Sequence, residues 1–146
     1  MKKILYSFIL FILILFQTNN VFSIHHHERM LNVHDNPNLL WKKRLLIVRL
    51  NDSELTDFKV SVDKEFCRIQ NRNLEIYFKR DKKYINLFNK KLLKLNFMVV
   101  DKTLLVGYDG SVKFKSQNLV NFKKIFEIID QMPIRKSEII KDKVCN

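Results

Sequence analysis

Residues 45–50, "LLIVRL", form an apolar run broken only by Arg49, which reads as a strand buried on both faces. After it, Leu55, Phe58, Val62, Phe66 and Ile69 recur at spacings of three or four. That spacing predicts one helix with a single apolar stripe, opened by the capping residues Asn51, Asp52 and Ser53. "LEIYFK", residues 74–79, mixes aromatic and branched side chains and reads as a second strand. Ile85, Phe88, Leu92 and Leu95 predict a second helix over residues 83–95. "TLLVG" and "SVKFK" follow as two short strands. Phe122, Ile125, Phe126, Ile129 and Met132 then mark a closing helix, which Pro133 ends because it lacks an amide proton.

The chain holds two glycines, Gly107 and Gly110, and both fall in the turn "GYDG" between the last two predicted strands. A tight hairpin needs positive φ, which glycine adopts without steric cost. Gly110 is the expected left-handed residue, with Tyr108 and Asp109 as the body of the turn. Gly107 is expected to permit a close backbone approach or a bulge. A phosphate-cradling loop would need richer glycine spacing and a helix directly after it, and neither is present.

The N-terminal end has a different character. Lys2 and Lys3 precede an apolar run over residues 4–16, followed by a polar stretch and then Val21-Phe22-Ser23. At roughly 13 residues the run is shorter than the ~20 needed to span a bilayer, and its order is that of a signal peptide. Residues 1–23 are therefore expected to be removed and the remainder to be exported, periplasmic or secreted; the competing reading is an uncleaved anchor. Residues 24–37 are expected to be a flexible His-containing segment, 38–140 a folded domain, and 141–146 a tail. The formal charge is +12, of which Lys2 and Lys3 supply two. The balance favours an envelope or extracellular protein or an anionic component as partner, but basic residues strewn along the chain read first as solvation. No specific nucleic-acid contact is expected, and membrane contact only through the leader if it is retained. Trp41, followed by Lys42, Lys43 and Arg44, reads as a packed ring with a solvated edge.

The order β-α-β-α-β-β-α is that of a thioredoxin-like α/β fold: a four-stranded mixed sheet with helices on both faces. "LLVGYDGSVKFK" followed by "IFEIIDQMPIRKSE" also resembles the closing signature of a thioredoxin- or peroxiredoxin-like domain of unknown function. That domain occurs in bacterial exported proteins and in extracellular proteins with sushi repeats or coiled-coil segments. The resemblance rests on Leu105, Gly107, Asp109, Gly110, Val112 and Lys113 in the hairpin. It continues through Asp130, Met132, Pro133, Arg135 and Glu138 at the helix end, with Trp41 and Arg44 ahead of the first strand. The chain departs from the family pattern at Tyr108, where a lysine is usual, at Ile134, where a second methionine is usual, and at Arg72-Asn73, where Arg-Asp is usual. The resemblance implies a fold and an exported setting; it brings no activity with it.

A thioredoxin-type catalyst would place Cys-x-x-Cys where this chain reads Asn51-Asp52-Ser53-Glu54. The proline that would precede the third strand is replaced by Asp101-Lys102, and Cys67 is expected near the far end of its helix. The favoured role for Cys67 and Cys145 is a structural disulfide, with free or intermolecular thiols as the alternatives. If cleavage follows Ser23, His26 stands third from a free amine, and His25 and His26 become candidate ligands for Cu(II) or Ni(II) in a square-planar nitrogen set. A polar tail with no metal is the competing reading there. No cofactor is expected. The functional expectation is a non-catalytic binding or structural protein, with partner contacts at Gly107, Asp109, Gly110, Lys113, Asp130, Met132, Pro133, Arg135 and Glu138. Asp130, Arg135 and Glu138 also read as ordinary helix-end charges. A divergent thiol oxidoreductase and envelope copper or nickel binding are the alternative functions.

Overall fold

Strand β1, Arg44–Val48, is buried along all five residues because the sheet continues on both sides of it and apolar side chains cover both faces. In the computed structural model, residues 31, 36–95 and 98–145 are described. The expected leader over residues 1–23, and His25 and His26, lie outside them. Among the described residues no helix is long and apolar enough to cross a membrane.

Beyond β1, the capping box at Asn51 starts helix α1, Asp52–Lys64: the Asn51 side chain accepts the Glu54 amide, and the Glu54 carboxylate accepts the Asn51 amide. The stripe expected to form one helix is divided. At Glu65 the amide bonds back to the Ser61 and Val62 carbonyls, tightening the turn before the short helix α2, Phe66–Asn71. Strand β2, Leu74–Arg80, then pairs parallel to β1, with Leu46 opposite Ile76.

Residues 83–95 do not form the expected helix. They fold into strands β3, Lys83–Asn86, and β4, Leu92–Leu93, which pair antiparallel through Tyr84 with Leu93 and Ile85 with Leu92. Turn chemistry overrides the apolar spacing here. The Asn86 side-chain carbonyl accepts the amides of Phe88 and Asn89, Asn89 accepts the amide of Lys91, and Lys90 sits at φ +62.

Strands β5, Thr103–Val106, and β6, Val112–Ser116, make the expected hairpin, and helix α3, Phe122–Asp130, follows behind an Asn121 cap. α3 stops at Asp130, short of Met132; a four-residue helix α4, Arg135–Glu138, and a 3-10 turn, Ile139–Lys141, complete the chain's described end. Among the described residues the sheet is thus six-stranded, not four-stranded, with order β4-β3-β2-β1-β5-β6.

One face carries Leu46, Val48, Ile76, Phe78 and Leu105, packed against Phe58, Val62 and Ile69 and the α3 residues Phe122, Ile125, Phe126 and Ile129. Phe58 and Phe122 stack with ring centroids 5.5 Å apart. The opposite face, with Leu45, Ile47, Tyr77, Leu104 and Val106, is covered by Leu31, Leu40, Leu93 and Val99. Among the described residues no helix contributes to that second core, which corrects the expectation of helices on both faces. The segment replaced by β3 and β4 is the one that would have supplied such a helix.

The hairpin turn explains both glycines. Gly110 lies at φ +75, and its amide donates to the Gly107 carbonyl at 3.1 Å. At Gly107 the crowding comes from a side chain and not from backbone: an added Cβ would lie 2.5 Å from Cε of Lys113. The ladder also shifts register between Leu105 and Val106, a bulge beside that glycine. A side chain at 110 would meet Leu40 Cδ1 at 2.9 Å and the Leu31 carbonyl at 3.2 Å. Gly110→Val should therefore combine a left-handed penalty of about 1–3 kcal/mol with this clash. Urea unfolding should show a clearly lower midpoint for Gly110→Val than for Asp109→Ala, and equal midpoints would remove the turn argument.

Candidate functional site

Arg44 opens β1 with its side chain on the helix-bearing face, where it is 1% exposed. A guanidinium there needs partners, and neighbouring elements supply them. Its carbon lies 4.0 Å from the centroid of the Tyr108 ring, its Nη1 donates to the Arg72 carbonyl at 2.8 Å, and Glu138 Oε2 lies 2.9 Å from the same nitrogen. The Tyr108 hydroxyl donates to the other Glu138 oxygen. Arg44 Nε and Glu138 Oε2 are buried without hydrogen-bond geometry, so the contact between Arg44 and Glu138 is ionic and imperfectly aligned.

Two further arginines extend this arrangement. Arg72 grips Asp130 with two bonds, Nε to Oδ1 at 3.0 Å and Nη2 to Oδ2 at 2.6 Å, while its carbon sits 4.3 Å from the Phe126 ring centroid. Arg135, also 1% exposed, donates to Asp130 at 3.1 Å, to the Asn71 carbonyl at 2.9 Å and to both oxygens of Asp142. Three guanidiniums therefore interleave with Asp130, Glu138 and Asp142. Burial pushes the Asp130 carboxyl up, but Arg72 and Arg135 outweigh it and hold it below the usual carboxylate range. Burial, then the bond to Glu138, pushes the Tyr108 hydroxyl up from its ordinary value.

A cavity of about 410 Å³ opens above this network. Arg44 and Tyr108 form part of its lining, Gly107, Asp109 and Lys113 come from the hairpin, and Met132, Pro133 and Ile134 from the turn after α3. Lys113 Nζ is 2.9 Å from Asp109 Oδ2. Burial raises the Asp109 carboxyl, and bonds from Lys113 and Ser111 bring it below its ordinary value. Trp41 also lines the cavity, with its amide bonded to the Tyr108 carbonyl at 2.7 Å, its φ at +62 and 60% of its surface exposed. The described lining is an apolar hollow with Arg44 and Tyr108 at its base and the Asp109–Lys113 pair at one edge.

The residues expected to meet a partner thus separate into three groups. Gly107, Asp109, Lys113, Met132 and Pro133 line the cavity. Asp130, Arg135 and Glu138 belong to the ion network; they are not solvated helix-end charges, and Arg135 is closed off from any partner. Gly110 faces Leu31 and Leu40 instead. Trp41 is an exposed ring, not a packed one. Sequence reasoning also missed Tyr108, Arg72 and Asp142 as parts of this site. The pairing of Trp41 and Arg44 in the family signature was the available signal for the first two members of the lining.

Cys67 stands in the first turn of α2, not at the far end of a long helix, and is bonded to Cys145. Asn71 ties down the same tail, donating to the Lys143 carbonyl at 2.8 Å and accepting its amide at 3.1 Å. These contacts bring Asp142 to Arg135.

Residues 37–138 match a family described as a domain of unknown function, DUF4174. The chain belongs to that family. No curated protein and no solved structure matches it. The DUF4174 match contains the whole cavity lining and every member of the ion network except Asp142, which lies beyond its end together with Cys145.

The network makes stability depend on acid. A carboxylate whose folded pKa is depressed contributes stability above its unfolded value, near pH 4, and that contribution is lost as pH falls through the folded value. Unfolding midpoints measured in urea between pH 3 and pH 7 should fall at the acidic end, and Asp130→Asn should flatten that fall. An unchanged acid slope in Asp130→Asn would contradict the assignment. Arg135→Leu leaves Asp142 and part of Asp130 without a cation and should lower stability by on the order of 3 kcal/mol at neutral pH.

Proposed function

We propose that this protein is an exported, non-catalytic binding protein that receives an apolar segment of an envelope or extracellular protein in the cavity beside Trp41. The observation that carries this reading is Trp41 itself. A tryptophan in the left-handed region costs about 1–2 kcal/mol, and here the cost leaves the ring largely in water, where it buries little surface in return. Its bond to the Tyr108 carbonyl holds it at the cavity, and Ile134 in the lining is 47% exposed. A rigid tryptophan beside a preformed apolar hollow is the usual anchor of a protein interface.

The frame is read as thioredoxin-like. In its support, β2, β1, β5 and β6 lie side by side, the first two parallel, the others antiparallel, with helices linking β1 to β2 and a helix closing the chain. The hairpin of β3 and β4 stands where the second helix of that plan would be. Export is supported by the lysines and apolar run at the N-terminal end, and by a disulfide, which suits an oxidising compartment. Binding is favoured over thiol turnover because Cys67 and Cys145 are joined to each other and neither lines the cavity.

The test is site-specific crosslinking in producing cells. A photoreactive residue at position 134 should yield a discrete protein adduct, one at the exposed Lys59 on α1 should not, and Trp41→Asn should abolish the adduct. Asparagine tolerates positive φ, so this variant should unfold at a urea midpoint equal to or above that of the wild type. Absence of any adduct at 134, or an adduct indifferent to Trp41, would sink the reading.

A further inference from the structure

The folding of residues 79–95 into a strand hairpin gathers charge that looks dispersed in the sequence. This stretch has seven basic residues, Lys79, Arg80, Lys82, Lys83, Lys90, Lys91 and Lys94, against one acidic residue, Asp81. Among the described residues it forms an edge of the sheet, because β4 is the terminal strand and only two residues long. At that edge Lys82, Lys83 and Lys94 share one shallow hollow with Leu92, Leu95 and Met98. Leu92 is 59% exposed and Met98 63%.

Lysines alone on a free edge would be explained by protection against pairing with another sheet. That purpose is undone by setting large aliphatic side chains in water among them. An apolar group surrounded by long basic side chains instead matches the boundary between headgroups and hydrocarbon, where lysine stems lie along the apolar region and their ammonium groups reach the phosphates. Nucleic acid fits less well, because the exposed apolar groups in this hollow are aliphatic or thioether, and the one ring in its lining, Tyr84, is buried with its hydroxyl held by the Val99 amide and is not open to a stacking base.

We infer that the β3–β4 edge docks on an anionic phospholipid bilayer, with Leu92 and Met98 entering the interface and Lys82, Lys83 and Lys94 neutralising headgroups. The site is separate from the cavity beside Trp41, and neither set of lining residues includes a member of the other.

The test uses the full chain, so the readout must report this edge and not the N-terminal apolar run. In a Trp41→Phe background, a single tryptophan is placed by Leu92→Trp, or on the opposite, helical side by Lys123→Trp. Each protein is mixed with vesicles of phosphatidylglycerol and phosphatidylcholine, or of phosphatidylcholine alone, containing brominated acyl chains. Tryptophan at 92 should shift to the blue and be quenched with the anionic vesicles only, and tryptophan at 123 should be unaffected. Adding Lys82→Gln, Lys83→Gln and Lys94→Gln should weaken the quenching by about five-fold in lipid concentration per lysine. The matched set Lys59→Gln, Lys64→Gln and Lys124→Gln should change it little. An unquenched tryptophan at 92, equal quenching at 123, or equal losses from the two lysine sets would overturn the inference. So would a Lys82, Lys83 and Lys94 variant that aggregates while its quenching stays intact, since that is the signature of edge protection alone.

Discussion

Arg44 carries a positive charge into the core at the first residue of the central strand, and the end of the sheet around it is organised by the need to answer that charge. Its guanidinium is covered by the Tyr108 ring, bonded to the Arg72 carbonyl and set against Glu138. Those three contacts come from the β5–β6 turn, from the C-cap of α2 ahead of β2, and from α4. None of the three can move without uncovering the arginine. Asp130 and Arg135 extend the same logic, joining the end of α3 to α4 and, through Arg72, to the loop that enters β2. A buried ion pair contributes little net stability, because desolvation offsets its attraction, but it penalises every arrangement in which one partner is lost. The network is therefore better understood as fixing positions than as strengthening the fold. What it fixes are the walls of the cavity, since Met132, Pro133 and Ile134 lie between Asp130 and Arg135.

Asp142 shows how the tail enters this scheme. Arg135 has two carboxylates within bonding reach at 130 and 142, and the second comes from a segment whose apolar side chains, Ile139, Ile140 and Val144, stay largely exposed and so do little to hold it in place. Its position depends on the bond between Cys67 and Cys145 and on the two hydrogen bonds that the Asn71 side chain exchanges with the Lys143 backbone. The disulfide thus acts on the cavity through two steps, from tail to Asp142 and from Asp142 to Arg135, without any sulfur near the lining.

The parts of the fold that could be read from the sequence are those where a local rule and the tertiary packing agree. Residues 45–48 are aliphatic because both faces of β1 are covered; Asn51 caps because α1 begins there; Gly110 is glycine because φ is +75. Residues 83–95 fail because two rules conflict. Ile85, Phe88, Leu92 and Leu95 satisfy a helical period, yet Asn86 and Asn89 bond their side chains to nearby amides, and Lys90 completes the turn. Trp41 and Arg44 were misjudged for a related reason. Hydrophobicity assigns tryptophan to the interior and arginine to the surface, and here a left-handed backbone turns the ring outward while strand alternation turns the guanidinium inward. Asn73, where the family pattern has aspartate, lies at φ +47 and its carbonyl accepts the Arg44 amide. Both residue types tolerate that conformation, so the backbone role survives the change of side chain.

The two faces of the sheet differ in how they are closed, and this bears on both surfaces described above. The face under α1, α2 and α3 is sealed by aromatic packing across several turns of helix. The other face is covered, among the described residues, by irregular chain: the Asn36 side chain bonds to the Lys94 carbonyl at 3.0 Å, and the Val99 amide to the Tyr84 hydroxyl at 2.7 Å. Leu40 lies in that cover immediately before Trp41, and Met98 immediately before Val99. The cavity and the basic edge are thus each joined, through one neighbouring residue, to the cover of that face, while the Arg44 contacts tie the cavity to the helix-bearing one.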